Sequence, residues 1–166
     1  MKEFSHLDGA GAARMVDVSE KAVTARTAVA TGVLRTTAEV VGLLRADGLP
    51  KGDALATARI AGIMAAKHTP DIVPLAHPIA LTGVKVDLAL GETEVFITTT
   101  VRTADRTGVE MEALTAVAAA GLALHDMVKA IDPAAVLDGV RVERKDGGKT
   151  GTWTRAAGNV KGAGHE

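Results

Sequence analysis

From Ala22 onward, hydrophobic and β-branched residues recur with a clear period. In AVTARTAVATGVLRT, Val23, Ala25, Thr27, Val29, Thr31 and Val33 fall on alternate positions. That period of two predicts a long strand. Thr36-x-x-Glu39 follows with capping-box spacing and opens a short helix, with Val40, Val41, Leu43 and Leu44 as its apolar stripe. Gly48 and Pro50 stop it. Asp53 caps a second helix, ALATARIAGIMAAKH, with Leu55, Ile60, Ile63 and Met64 roughly on one side and Thr69-Pro70 at its end.

Further along, DIVPLAHPIAL holds Pro74 and Pro78, close behind Pro70. So many prolines predict an irregular, stiff loop rather than a central strand. VKVDLAL and EVFITTTVR then alternate around Gly91-Glu92, which predicts a hairpin. VEMEALTAVAAAGLALHDMVKAI is the longest helical pattern, ended by Asp132-Pro133, and GVRVERK is the last strand. This order is β-α-β-β-α-β with one crossover helix doubled. It predicts an α+β, ferredoxin-like fold: a four-stranded antiparallel sheet with helices packed on one face. One domain is expected over residues 13–153, between flexible tails at 1–12 and 154–166.

Composition narrows the function. The chain has 166 residues, 47% of them hydrophobic and 23% charged, with a formal net charge of -1. That balance suits a single soluble domain and provides no global basic field for nucleic acid or membrane. Two Phe, one Trp and no Tyr leave few rings for stacking bases. Without cysteine there is no disulfide, thiol nucleophile or thiolate metal site. His68 and His77 lack zinc-site spacing, so no metal ligand is assigned. No apolar run is long enough to span a membrane and the N-terminus has no signal-like stretch, so a cytoplasmic location is expected.

KDGGKTG, Lys145 to Gly151, has the second half of a phosphate loop but Glu143 where the first glycine belongs. No apolar helical repeat follows it, so the helix N-terminus that would hold phosphate is absent. It reads as a glycine turn.

Several polar clusters interrupt the apolar scaffold. Lys51 precedes a helix, His77 sits between prolines, and Glu110 and Glu112 lie in the first turn of the long helix. Asp126 and Lys129 stand near that helix's end, and Lys145 ends the last strand. Singly, each has an ordinary explanation: acids favour a helix N-terminus, and Asp126 with Lys129 suits a surface ion pair. Together, three lysines with several carboxylates suit an anionic small-molecule site. Lysines brought close depress each other's pKa and so become proton carriers near neutral pH. Lys21, at an exposed strand start, is expected to lie outside the site.

ARMVDVSEKAVTAR, KGDALATARIAGIMAAK, PLAHP, TGVEMEALTA, DMVKA and GGKTG, in this order from Ala13 to Gly151, resemble the MoaC family of molybdenum-cofactor biosynthesis, the cyclic pyranopterin monophosphate synthases. The resemblance implies a ferredoxin-like lyase that rearranges a cyclised dihydroguanosine triphosphate to a pyranopterin with a cyclic phosphate, releasing diphosphate. It implies a homohexamer, a trimer of dimers with sites at the dimer interface, and no organic cofactor. Mg²⁺ is compatible as a companion of the triphosphate, though no dedicated ligand set is visible.

Carried onto this chain, the resemblance places the catalytic aspartate at Asp126 and substrate-binding segments at Leu75-Ala76-His77 and Met111-Glu112. Ala76 stands where the family often has Cys. Lys51, Lys129, Lys145, Arg26 and Glu110 match positions in or beside the site. In this view Asp126, Lys129 and Lys51 are catalytic, and the glycine turn is a mobile rim of the pocket. Two readings from other classes are a non-catalytic ligand-binding regulatory module and an RNA-binding domain. The lysine–carboxylate set speaks against the first and the scarcity of aromatics against the second.

Overall fold

A computed structural model of the chain describes residues 10–46, 48–49 and 52–156. Most of the expected N-terminal tail (1–9), the end of the C-terminal one (157–166) and Lys51 lie outside these residues. The elements run β1 (Thr24–Arg35), α1 (Ala38–Arg45), α2 (Ala54–Lys67), α3 (Thr69–Ile72), β2 (Leu81–Leu90), β3 (Glu94–Asp105), α4 (Glu110–Val128), β4 (Val136–Asp146) and β5 (Trp153–Thr154). They form one antiparallel sheet in the order β2-β3-β1-β4-β5. Its first four strands have the ferredoxin-like order, with α4 across β1, β3 and β4 and α2 packed on α4 and β2.

The fifth strand corrects the expected four. Trp153, the last residue of the expected domain, pairs with Lys145, and Thr154, assigned to the tail, pairs with Arg144, so the sheet extends past the expected boundary. Arg155 continues the docking: its backbone N–H donates to the Glu143 carbonyl at 2.8 Å and its Nε to the Val142 carbonyl at 2.9 Å. A two-residue strand is too short to show a periodic signal in sequence.

In β1, Ala28, Ala30, Gly32 and Leu34 are buried, while Val29, Thr31 and Val33 between them are only half-buried. The β-branched set that announces the strand therefore lies on the face away from the helices, and small residues admit α4. In β3 the helix-facing set is Val95, Ile97, Thr99, Val101 and Thr103. Thr99 is fully buried there, its Oγ1 donating to the Ala113 carbonyl of α4 at 2.8 Å. Such a group is tolerated inside because its hydrogen bond is made.

Two helix details differ from expectation. The cap of α1 is Thr37, whose extended backbone lets Oγ1 accept from the Val40 amide. Thr36 instead donates its hydroxyl to Asp132 Oδ2 at 2.7 Å, and Glu39 falls one residue short of its capping-box place. Asp53 caps α2 as expected, accepting from the Ala56 amide. The buried stripe of α2, however, is Ala54, Ala58, Gly62 and Ala66, while Ile60 and Met64 are exposed. Small residues four apart let α2 approach α4 closely: a Cβ on Gly62 would lie 2.9 Å from the Ala116 carbonyl oxygen. By length and composition α4 could cross a membrane. Here it is a core helix, with Ala113, Ala116, Val117, Ala120, Leu124 and Val128 buried.

Candidate active site

Three segments meet in a cavity of about 450 Å³. Val16, Val18 and Lys21 come from the chain leading into β1. Val73, Leu75, Ala76, His77 and Ile79 come from the proline-rich loop, and Thr107, Gly108, Glu110, Met111 and Glu112 from the turn into α4 and its first turn. The loop keeps its irregular course because proline cannot join a ladder and its ends are tied. The Ala76 amide donates to the Val73 carbonyl at 3.0 Å, and Thr103 Oγ1 donates to the Ala80 carbonyl at 2.7 Å.

His77 links two of these segments. Its Nε2 lies 2.7 Å from the Val16 carbonyl oxygen. A carbonyl only accepts, so Nε2 carries the proton, and in the neutral ring Nδ1 is the free acceptor.

Glu112 is only 3% exposed, in a site otherwise built largely from apolar walls. Burial pushes its carboxyl above the ordinary glutamate value of 4.5; its own backbone amide opposes this, and the neighbouring Glu110 charge adds to it. The folded state therefore holds this proton more tightly than the unfolded chain, and stability falls as pH rises above about 4.5 through the raised value. Glu112→Gln is expected to be more stable than the parent at pH 7, with the difference closing on acidification to pH 4. Paired urea titrations at the two pH values measure it. A difference that stays constant with pH would contradict the buried-carboxylate origin.

Beside the main cavity lies a second of about 80 Å³, lined by Arg26, Thr27, Gly108, Glu110, Lys145, Asp146, Gly147 and Thr150. Lys145 Nζ is 3.3 Å from Glu110 Oε1, and both side chains are about two-thirds covered. Asp146 is committed elsewhere, accepting from Arg144 at 2.8 and 2.9 Å and from Thr152 at 2.9 Å. The Arg144 hydrogen bonds, then that of Thr152, hold its carboxyl below the usual range. Arg26 donates through Nη2 to the Arg106 carbonyl at 3.3 Å, while its buried Nε has no hydrogen-bond partner among the described residues.

The glycine turn closes over Arg26. Gly147 and Gly148 both have positive φ, +96° and +75°. A Cβ on Gly147 would run into the Ala25 carbonyl oxygen, and one on Gly148 into the Arg26 guanidinium. These glycines are needed for left-handed backbone and for close approach to an arginine.

The structure thus gathers Leu75, Ala76, His77, Glu110, Met111 and Glu112 at one cavity, with Arg26 and Lys145 at its neighbour. Asp126 and Lys129 line neither. They form a 2.6 Å ion pair at the far end of α4, each about half exposed. The expected clustering of lysines does not occur among the described residues of one chain: Lys129 and Lys145 each face a carboxylate. Lys21, expected outside the site, lines the main cavity with Val16 and Val18. The signal for it was present, since MVDVSEK lies inside the first resembling segment. Among the described residues no group of three or more His, Asp or Glu side chains is placed to hold a metal ion. A Mg²⁺ carried by a triphosphate would bring most of its own oxygen ligands.

Fold and site together define a ferredoxin-like α+β protein with a largely apolar, acid-bearing pocket beside a smaller one lined by both cations, Arg26 and Lys145, and carboxylates, Glu110 and Asp146. The family model described as "MoaC family" matches residues 15–148, and the chain belongs to that family. It is 64% identical over 153 residues to cyclic pyranopterin monophosphate synthase 2 of Mycobacterium bovis, covering 92% of each chain. It is equally identical to the cyclic pyranopterin monophosphate synthase of Streptomyces coelicolor, covering 92% of this chain and 90% of that one. At 54% it resembles the enzyme of that name from Corynebacterium efficiens, over 93% and 99% of the two chains.

Proposed function

We propose that this chain is a cyclic pyranopterin monophosphate synthase. It converts (8S)-3',8-cyclo-7,8-dihydroguanosine 5'-triphosphate to cyclic pyranopterin monophosphate with release of diphosphate, an early step of molybdenum-cofactor biosynthesis, in the cytoplasm. The observation that carries this reading is the pairing of cavities: a pocket with room for a fused ring system beside a smaller one lined by Arg26 and Lys145.

Glu112 and the Leu75-Ala76-His77 backbone read the guanine-derived ring. A carboxyl in a covered pocket accepts or donates toward ring nitrogens according to its protonation, and burial sharpens that selectivity. His77, with Nε2 engaged by Val16, presents Nδ1 as a proton acceptor. Arg26 and Lys145 balance the charge of the triphosphate and of the departing diphosphate. Lys51 and Lys129 carry protons, and Asp126 holds Lys129 through a charge-assisted hydrogen bond.

Ring and phosphate therefore meet one chain's α4 at its N-terminal end, whereas the Asp126–Lys129 pair sits at the other. A partner chain supplying that pair completes the site, which fits a homohexamer built as a trimer of dimers.

The test is direct. Purified protein is incubated with the cyclised triphosphate, and diphosphate and the fluorescent oxidised pterin are measured together. Both should appear in equal amounts, and Lys145→Ala should lose most of the rate. Ligand binding without either product would establish the regulatory-module reading instead.

A further inference from the structure

We infer that Gly108 positions Glu110 as an internal stand-in for phosphate: with no ligand present, its carboxylate occupies Lys145 and must give way when the substrate's phosphate enters. This rests on the proposed phosphate role of the smaller cavity.

Glu110 belongs to both cavities, and so does Gly108. The Glu110 side chain folds back over Gly108 so closely that a Cβ there would collide with Glu110 Oε2, and would sit 2.8 Å from Cδ and 3.1 Å from Oε1. No side chain can stand at position 108 while Glu110 keeps this pose. The pose brings Oε1 to 3.3 Å from Lys145 Nζ. Gly108 is not among the glycines with positive φ, so this requirement is for space and not for backbone freedom.

The charges around the smaller cavity give the pose a consequence. Its cations are Arg26 and Lys145, and its acids are Glu110 and Asp146. Arg144 and Thr152 already hold Asp146. Glu110 is thus the acid whose placement decides whether Lys145 is open to an incoming anion. A bound carboxylate neutralises the ammonium while the site is empty, which lowers the cost of keeping it two-thirds covered. The same carboxylate competes with the leaving diphosphate for Lys145 and favours its departure. At the N-terminus of α4 the displaced Glu110 remains stabilised by the helix dipole, so giving way costs little.

Alanine at position 108 supplies a test that keeps every charge. The obstructing atoms are the far end of a flexible side chain, so Gly108→Ala should swing Glu110 aside without disturbing the backbone. Binding of inorganic diphosphate is measured by titration calorimetry, at fixed pH and low salt, for the wild type, Gly108→Ala, Glu110→Gln and each of these combined with Lys145→Ala. The two single variants should bind diphosphate about two- to five-fold more tightly than wild type, the range a partly exposed ion pair is worth. Neither gain should survive when Lys145 is also removed. If Glu110→Gln alone tightens binding, the effect is general charge repulsion and the positioning role of Gly108 is wrong. Equal affinity in all Lys145-containing proteins removes the competition while leaving the phosphate cavity in place. No diphosphate binding by any of them rejects the phosphate reading itself.

Discussion

Asp126→Asn protein should fold like the wild type and form no product. The side chain is about half exposed in an ion pair with Lys129, so an isosteric amide removes a charge without opening the core. Loss of a surface pair costs at most about 1 kcal/mol of stability. The proton-transfer role proposed for its pair with Lys129 predicts a fall of several orders of magnitude in turnover. A folded, fully active Asp126→Asn enzyme would strike this residue from the catalytic set.

The position of Asp126 makes a sharper experiment available. Glu112 lines the main cavity and Asp126 lies fourteen residues further along α4, roughly 21 Å at 1.5 Å per residue. One compact substrate cannot bridge that length on a single helix. If the two residues serve one reaction, they come from two chains across a two-fold axis. Glu112→Gln and Asp126→Asn, each inactive alone, are unfolded, mixed in equal amounts and refolded. Half of the dimers are then mixed, and each holds one intact and one doubly damaged site, so about a quarter of wild-type activity returns. Mixed dimers with no activity would place both residues in the same chain's site.

The second large effect concerns stability. Gly62→Leu should destabilise the fold by about 3 kcal/mol, the upper part of the usual range for overpacking. The obstacle is the Ala116 backbone carbonyl, which cannot rotate away, with Val86 at 3.1 Å and Ala120 at 3.4 Å behind it. Leucine's better helix propensity returns somewhat under 1 kcal/mol. The melting temperature should fall by about 6–12 °C at roughly 2–4 °C per kcal/mol for a chain of this size. Met64→Ala, two residues on but exposed, should stay within about 0.5 kcal/mol. The reverse order would restore Ile60 and Met64 as the core stripe of α2.

α2 shows what its own residues could convey and what they could not. Its existence and start are local matters, fixed by Asp53 and a run of good helix formers. Its buried side is decided by the partner. Against a sheet, large residues fill the gap, but against a second helix alanine and glycine allow the backbones to meet. Periodicity of large apolar residues therefore identified only part of the buried side: Leu55 and Ile63 pack against the core, while Ile60 and Met64 are exposed. β1 repeats the lesson, since its β-branched alternation marks a strand without telling which face α4 covers.

The candidate site divides along the same line. Residue types and their order were sufficient for the antiparallel α+β scheme, for the segments holding His77, Glu110, Glu112 and Lys145, and for family membership, because these depend on local pattern and motif spacing. Only the folded chain decided the rest. It brought Lys21 and Val16 to His77, wrapped the glycine turn around Arg26 and set Glu110 against Lys145. Those are contacts between residues far apart in the chain, and no local pattern encodes them, since they are set by how whole elements pack; the distance from Glu112 to the Asp126–Lys129 pair, by contrast, follows from helix rise alone.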